Sequence, residues 1–186
     1  MYETRVVIID PDKSRRQRLK EQLNTAGHIV VAIVEDVKKG LRTIMQINPD
    51  VIMLSTDLGF EDIKVIEEHR ISPVVLVSES DIQLLPESEN MWIFGQVYPG
   101  MPSVILDGTI HRSVINFKKL LQLEREISRL NKTLEDRKII ERAKGLLISE
   151  KGYSEEQAFK FMRKLSMDRC QPMAEVASKL IHVLKS

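Results

Sequence analysis

Four short runs in the first 80 residues are almost wholly apolar: residues 5–9, 28–34, 51–54 and 73–77. A strand buried on one face alternates apolar with polar residues, whereas a strand buried on both faces reads as a continuous apolar run. Between these runs lie segments with helical spacing. Residues 13–26 carry Leu19 and Leu23 and are stopped by Gly27, residues 37–47 are amphipathic, and residues 63–69 make a short helix. Fully apolar strands separated by helices of this length imply an α/β fold, a doubly wound parallel sheet covered on both faces.

The chain of 186 residues is long for one average domain and short for two. A domain of about 120 residues with a helical appendage suits it. An appendage of about 50 residues sits where an isolated core is marginal, so it is expected to lean on a partner helix or a second chain. A homodimer is the first expectation. The single cysteine, Cys170, cannot form an intramolecular disulfide and reads as a helix-end residue, with no neighbouring His to activate it. No run approaches the roughly 18 apolar residues of a membrane span, and the start of the chain leads directly into a strand rather than a signal peptide. A cytoplasmic protein without a membrane partner is expected.

Net charge is informative once divided along the chain. Residues 137–186 hold 11 Lys and Arg against 6 Asp and Glu, a balance of +5, while residues 1–136 stand at −4. A short basic helical segment favours a polyanionic partner, although a solvated helix face gives a similar count. From His111 onward no Gly or Pro interrupts the chain until Gly145. Leu120, Ile127 and Leu134 recur every seven residues, as do Leu123 and Leu130. These are the a and d positions of a dimeric coiled coil, and the competing reading is a helix packed back on its own domain.

The order of elements over residues 3–118 resembles the receiver domain of bacterial response regulators, a flavodoxin-like five-stranded fold. In open parallel sheets the site lies beyond the carboxyl ends of the strands. The resemblance implies an acidic pair after the first strand, a phosphorylated Asp ending the third, Thr or Ser ending the fourth, and Lys before Pro ending the fifth. Here Asp10-Pro11-Asp12 follows the first strand, so Pro replaces one of two adjacent acids. Ser55 stands at the acceptor position, Ser78 at the hydroxyl position, and Tyr98 in place of the Lys before Pro99. A hard divalent cation needs converging oxygen ligands, and that set is depleted. The domain reads as a pseudo-receiver with a degenerate phosphorylation site at Asp10, Asp12, Ser55, Ser78 and Tyr98. Asp10 and Asp12 read as serving the turn and the start of the next helix, and Asp57 as a loop acid rather than a substitute acceptor. Residues 80–102 are punctuated by Pro86, Gly95, Pro99, Gly100 and Pro102, and the fourth helix expected there has little amphipathic pattern. Trp92 and Phe94 read as core residues, with anchors for a sensor protein as the competing reading.

The last 50 residues contain Arg137-Lys138-Ile139-Ile140-Glu141-Arg142-Ala143-Lys144-Gly145-Leu146-Leu147, then Gly152-Tyr153-Ser154-Glu155-Glu156-Gln157-Ala158-Phe159, then Arg163-Lys164-Leu165-Ser166-Met167. Ser154 begins a capping-box sequence. The second helix has an apolar side of Ala158, Phe161, Met162 and Leu165. The third, after Pro172, carries Met173, Val176, Ala177, Leu180, Ile181 and Leu184. This stretch resembles the ANTAR domain, a three-helix RNA-binding module of bacterial antitermination regulators. Ala143, Lys144 and Gly145 match its Ala-Lys-Gly signature, Arg163 and Met167 match the Arg and Met of its second helix, and Ala158 and Ala177 match small packing positions. The resemblance implies a dimer that recognises paired hairpins in the leader of a nascent mRNA and favours the antiterminated fold. Ala143 would admit a base or phosphate close to the helix. Arg142, Lys144, Arg163, Lys164 and Arg169 are candidate backbone contacts, and Tyr153 is a candidate stacking residue for an unpaired loop base. Against these stand plainer readings, with Tyr153 capping the turn and Lys164 merely solvated.

There is no Gly-rich phosphate loop and no His and Cys spacing suited to zinc, so no enzyme and no cofactor are expected. The expected division is a receiver-like domain over 1–118, a coiled-coil linker helix over 119–135 and an ANTAR RNA-binding domain over 136–186. Control is expected from a sensor or sequestering partner, a ligand or concentration. A DNA-binding output domain and a protein-interaction module without nucleic acid are the competing functions.

Overall fold

The computed structural model describes residues 3–79 and 92–184. The chain divides into two compact units, Met1–Leu121 and Gln122–Ser186. The first holds β1 (Arg5–Ile9), α1 (Lys13–Thr25), β2 (Ile29–Val34), α2 (Val37–Ile47), β3 (Val51–Ser55), α3 (Phe60–Glu68), β4 (Val74–Val77) and β5 (Ile93–Val97). The helix α4 (Ser103–Lys151) begins in the first unit and ends in the second, which also holds α5 (Glu155–Asp168) and α6 (Met173–Leu184).

The five strands form one parallel sheet in the order β2-β1-β3-β4-β5. Successive side chains of a strand point to opposite faces, so each central strand feeds two apolar layers. Val6 and Ile8 of β1 pack with Leu19 and Leu23 of α1 and with Leu106 and Ile110 of α4. Val7 and Ile9 pack on the other face with Ile44 of α2 and with Ile63 and Ile66 of α3. The helices start where side chains can hold free N–H groups. The Asp12 carboxylate accepts from the Arg15 N–H at 2.5 Å, and that of Asp36 from the Lys39 N–H at 2.8 Å. α2 crosses β1 closely at Gly40, where a Cβ would lie 2.5 Å from Ile9 Cδ1.

One expectation changes. The long helix starts at Ser103, eight residues before His111. Pro102 is well placed just ahead of a helix, with its carbonyl accepting from the N–H groups of Ile105 and Leu106. Gly108 is carried through because Leu106 and Ile110 are fully buried around it. Trp92 and Phe94 form an edge-to-face aromatic cluster with the buried Phe117, and the Arg70 guanidinium carbon lies 3.9 Å from the Trp92 ring centroid. The fourth helix expected after β4 falls on residues 80–91, outside the described residues. Among the described residues no helix is long and apolar enough to cross a membrane.

His28, between α1 and β2, is 5% exposed. Its Nε2 lies 3.3 Å from an Asp107 oxygen, yet neither ring nitrogen makes a hydrogen bond. Burial pushes its pKa below the ordinary 6.5, opposed by the Asp107 charge. A His with a depressed folded-state pKa contributes stability present above the unfolded value and lost as pH falls through the folded one. The urea midpoint should therefore fall below about pH 6.5, and His28→Leu should flatten that limb.

Candidate functional site

The carboxyl ends of β1 and β3 and the start of α1 converge on Arg15. Its side chain is buried on the first turn of α1. Nε donates to Asp10 Oδ2 at 2.5 Å, and Nη2 donates to Asp10 Oδ1 and Ser55 Oγ, both at 2.8 Å, and to Asp57 Oδ2 at 2.5 Å. Nη1 lies 3.4 Å from Glu79, which follows β4. Asp10 is fully buried and also accepts from the Asp12 N–H at 2.8 Å. The Arg15 pKa is raised by its hydrogen bond to Asp10, against the lowering effect of burial.

The five positions singled out by the sequence fall at this end of the sheet with distinct roles. Asp10 grips Arg15, and Asp12 caps α1. Ser55 accepts from Arg15 and from the Asp57 N–H at 3.1 Å. Ser78 accepts from Gln96 at 3.0 Å. Tyr98 packs against the apolar layer on the α1 side and supplies no ammonium. Arg15 itself was not foreseen. Its signal is a cation in the first turn of a helix, where the dipole is unfavourable to positive charge, three residues past an acidic turn.

A divalent cation, which the receiver fold implies, does not fit this set. Both Asp10 oxygens and one Asp57 oxygen are committed to Arg15, and Asp12 is committed to the helix start. Among the described residues no group of three or more His, Cys, Asp or Glu side chains could hold a metal ion.

In the second unit, the end of α4 packs with α5 and α6 around Ala143, Leu147, Ala158, Met162 and Ala177. Gly152 has φ +67 and turns the chain between α4 and α5, its N–H bonding to the Ile148 carbonyl at 3.1 Å. The capping box is present, with the Gln157 N–H donating to Ser154 Oγ at 3.2 Å and the Ser154 N–H donating to the Gln157 side chain at 2.8 Å. Ala143 is fully buried, which corrects its reading as a place for close approach of a base. Its small size lets the three helices meet. Lys144 is 8% exposed, and its Nζ lies 2.8 Å from Glu141 and 3.0 Å from Glu155. Hydrogen bonds to Glu141 and then Glu155 raise its pKa. Tyr153 is half-buried and packs edge-to-face on Phe161, with ring centroids 5.7 Å apart.

The remaining candidate cations, Arg142, Arg163, Lys164 and Arg169, are exposed. Phe159 is 43% exposed and was missed as a site residue. Its signal was its absence from the apolar side of α5. Phe159, Arg163 and Met167 recur at i, i+4 and so share one face of that helix. Along α4, Leu123, Ile127, Leu130 and Leu134 are all exposed, and Leu120 is half-buried.

The chain thus combines a receiver-like α/β fold with a three-helix output domain. Residues 128–181 match the ANTAR domain family, so the output domain is an ANTAR domain. The chain is 29% identical to the transcriptional regulatory protein PdtaR of Mycobacterium tuberculosis, over 97% of this chain and 90% of that one. It is 43% identical to the nitrate regulatory protein of Klebsiella oxytoca over 65 residues, 35% of this chain and 16% of that one. The signal receiver domain of a modulated diguanylate cyclase from Desulfovibrio desulfuricans superposes with a TM-score of 0.55 at 17% identity, over 63% of this chain and 98% of that one, a likeness of fold.

The packing around Ala143 predicts that Ala143→Leu, by overfilling a closed core, destabilises the second unit by about 1–3 kcal/mol. Arg142→Ala, one residue away on the surface, should change stability by no more than about 0.5 kcal/mol. Chemical denaturation of both variants checks the contrast, and equal effects would contradict the packing.

Proposed function

We propose that this protein is a non-enzymatic, RNA-binding regulator of transcription antitermination that binds paired hairpins in nascent leader mRNA. The observation that carries this reading is the α5 face of the ANTAR domain, where exposed Phe159 and Met167 flank exposed Arg163. An aromatic beside a cation is what an unpaired loop base and its phosphate require. In this reading Arg163, Lys164, Arg142 and Arg169 contact phosphates and Phe159 stacks on a base. Lys144 is a positioning residue, tying α4 to the first turn of α5 through Glu155. Tyr153 supports the turn between them.

The stripe of half-buried Leu120 and exposed Leu123, Ile127, Leu130 and Leu134 is the seam of a homodimer in this reading. Pairing it sets two tails at a fixed spacing, so the second of two linked hairpins binds at high effective concentration. Binding stabilises one of two exclusive RNA folds by mass action and needs no chemistry from the protein. The amino-terminal unit in this reading is not phosphorylated, and control comes from a sensor or sequestering partner in the cytoplasm.

The test is binding of the full chain, across a salt series, to a two-hairpin leader RNA, the same RNA with altered loop bases, a single hairpin and duplex DNA. Loop-dependent RNA binding is expected. Phe159→Ala should weaken it by about 1–3 kcal/mol with the salt slope unchanged. Arg163→Ala should reduce that slope by roughly 0.7–0.9. Ile127→Asp should remove the advantage of two hairpins over one. Equal binding to all four nucleic acids would reduce the tail to a nonspecific basic surface, and preference for duplex DNA would support a DNA-binding regulator. For the amino-terminal unit, acetyl phosphate with magnesium should add no phosphate, and stoichiometric incorporation at Asp57 or Asp10 would refute that part of the reading.

A further inference from the structure

We infer that the guanidinium of Arg15 replaces the divalent cation of a working receiver, neutralising the acidic sheet end from within the chain and leaving it unable to take a metal. The inference concerns the amino-terminal unit and stands whether or not the tail binds RNA.

Three features of the geometry carry it. First, the oxygens that meet Arg15 come from three strand ends: Asp10 after β1, Ser55 and Asp57 at and after β3, and Glu79 after β4. One planar cation therefore joins the ends of β1 and β3, where the acidic ligands of a metal would meet, and reaches the end of β4 as well. Second, Asp10 is fully buried and Arg15 is 1% exposed. A buried carboxylate without a counter-charge is costly, so removing the cation alone would leave Asp10 as an orphaned charge. Third, the oxygens are arranged for a fork. Nε and Nη2 take the two oxygens of Asp10 side by side, and Nη2 is shared with Ser55 and Asp57. Magnesium demands near-octahedral oxygen ligands at about 2.1 Å, which this planar arrangement does not offer.

Nearby residues close the remaining routes to a metal. Pro11 brings no carboxylate to the acidic turn, and Asp12 is turned to the α1 N-terminus. Tyr98 leaves no second cation from β5, so Arg15 faces Asp10 and Asp57 as their shared counter-charge. A tethered guanidinium does not dissociate on dilution or chelation. The receiver unit is therefore blind to the divalent cation that would normally accompany phosphoryl transfer.

The experiment uses the full chain. Manganese is titrated with detection of free ion by electron paramagnetic resonance, and thermal midpoints are compared in EDTA and in millimolar magnesium. No bound manganese and an unchanged midpoint are expected. Arg15→Met should lower the midpoint by at least about 5 °C. Asp10→Asn combined with Arg15→Met should recover much of that loss, because the orphaned charge has gone. Submillimolar manganese binding by the wild type that Asp10→Asn abolishes would overturn the inference. So would Asp10→Asn and Arg15→Met effects that simply add. If Arg15→Met does not fold, Arg15→Lys keeps the charge and loses the fork. A midpoint for Arg15→Lys as high as the wild type's would equally overturn it.

Discussion

β1 is the constraint on which the amino-terminal unit depends. It pairs with β2 on one side and β3 on the other, and Val6, Val7, Ile8 and Ile9 are all fully buried. Because alternate residues point to opposite faces, these four side chains seed both apolar layers at once. A slip of one residue would exchange the partners of α1 and α4 with those of α2 and α3. The same strand delivers Asp10 to the sheet end immediately after Ile9, so the register that packs the core also places the buried carboxylate. Core and site are one geometric decision.

Much of this was legible in the residues. The continuous apolar runs located β1 to β4 within a residue or so, because a strand buried on both faces has no other signature. α2 and α5 were readable from amphipathic spacing, and α5 also from its capping box. The start of α4 was not, since Pro102 and Gly108 look like breakers until the burial of Leu106 and Ile110 is known. At the sheet end, Ser55 and Tyr98 could be recognised as substitutions because position along a strand suffices. Arg15 could not, because its five oxygen contacts are drawn from side chains between 5 and 64 residues away in sequence, and convergence of that kind belongs to the fold.

The ANTAR unit shows the same division between pattern and contact. Its three helices were readable from their apolar stripes, and Glu141, three residues before Lys144, is a natural helical partner for it. Glu155 comes from the next helix and only the turn at Gly152 brings it to Lys144. A lysine that looks like a free cation in the sequence thus has two carboxylate partners in the fold. Phe159 is the converse case: an aromatic that looks like core material stands in solvent because Ala158 and Met162 already fill the core side of α5.

The placement of Ala143 and Lys144 bears on how chains of this kind diverge. The motif by which the domain is recognised lies in the joint between two helices, with Ala143 in the core and Lys144 bound to two carboxylates. It encodes the architecture of the unit. The exposed positions of α5 are under no such packing restraint and can be exchanged at little cost in stability. Two proteins with the same signature can therefore share this joint and still differ in the chemistry of the surface they present, through a handful of outward-facing residues.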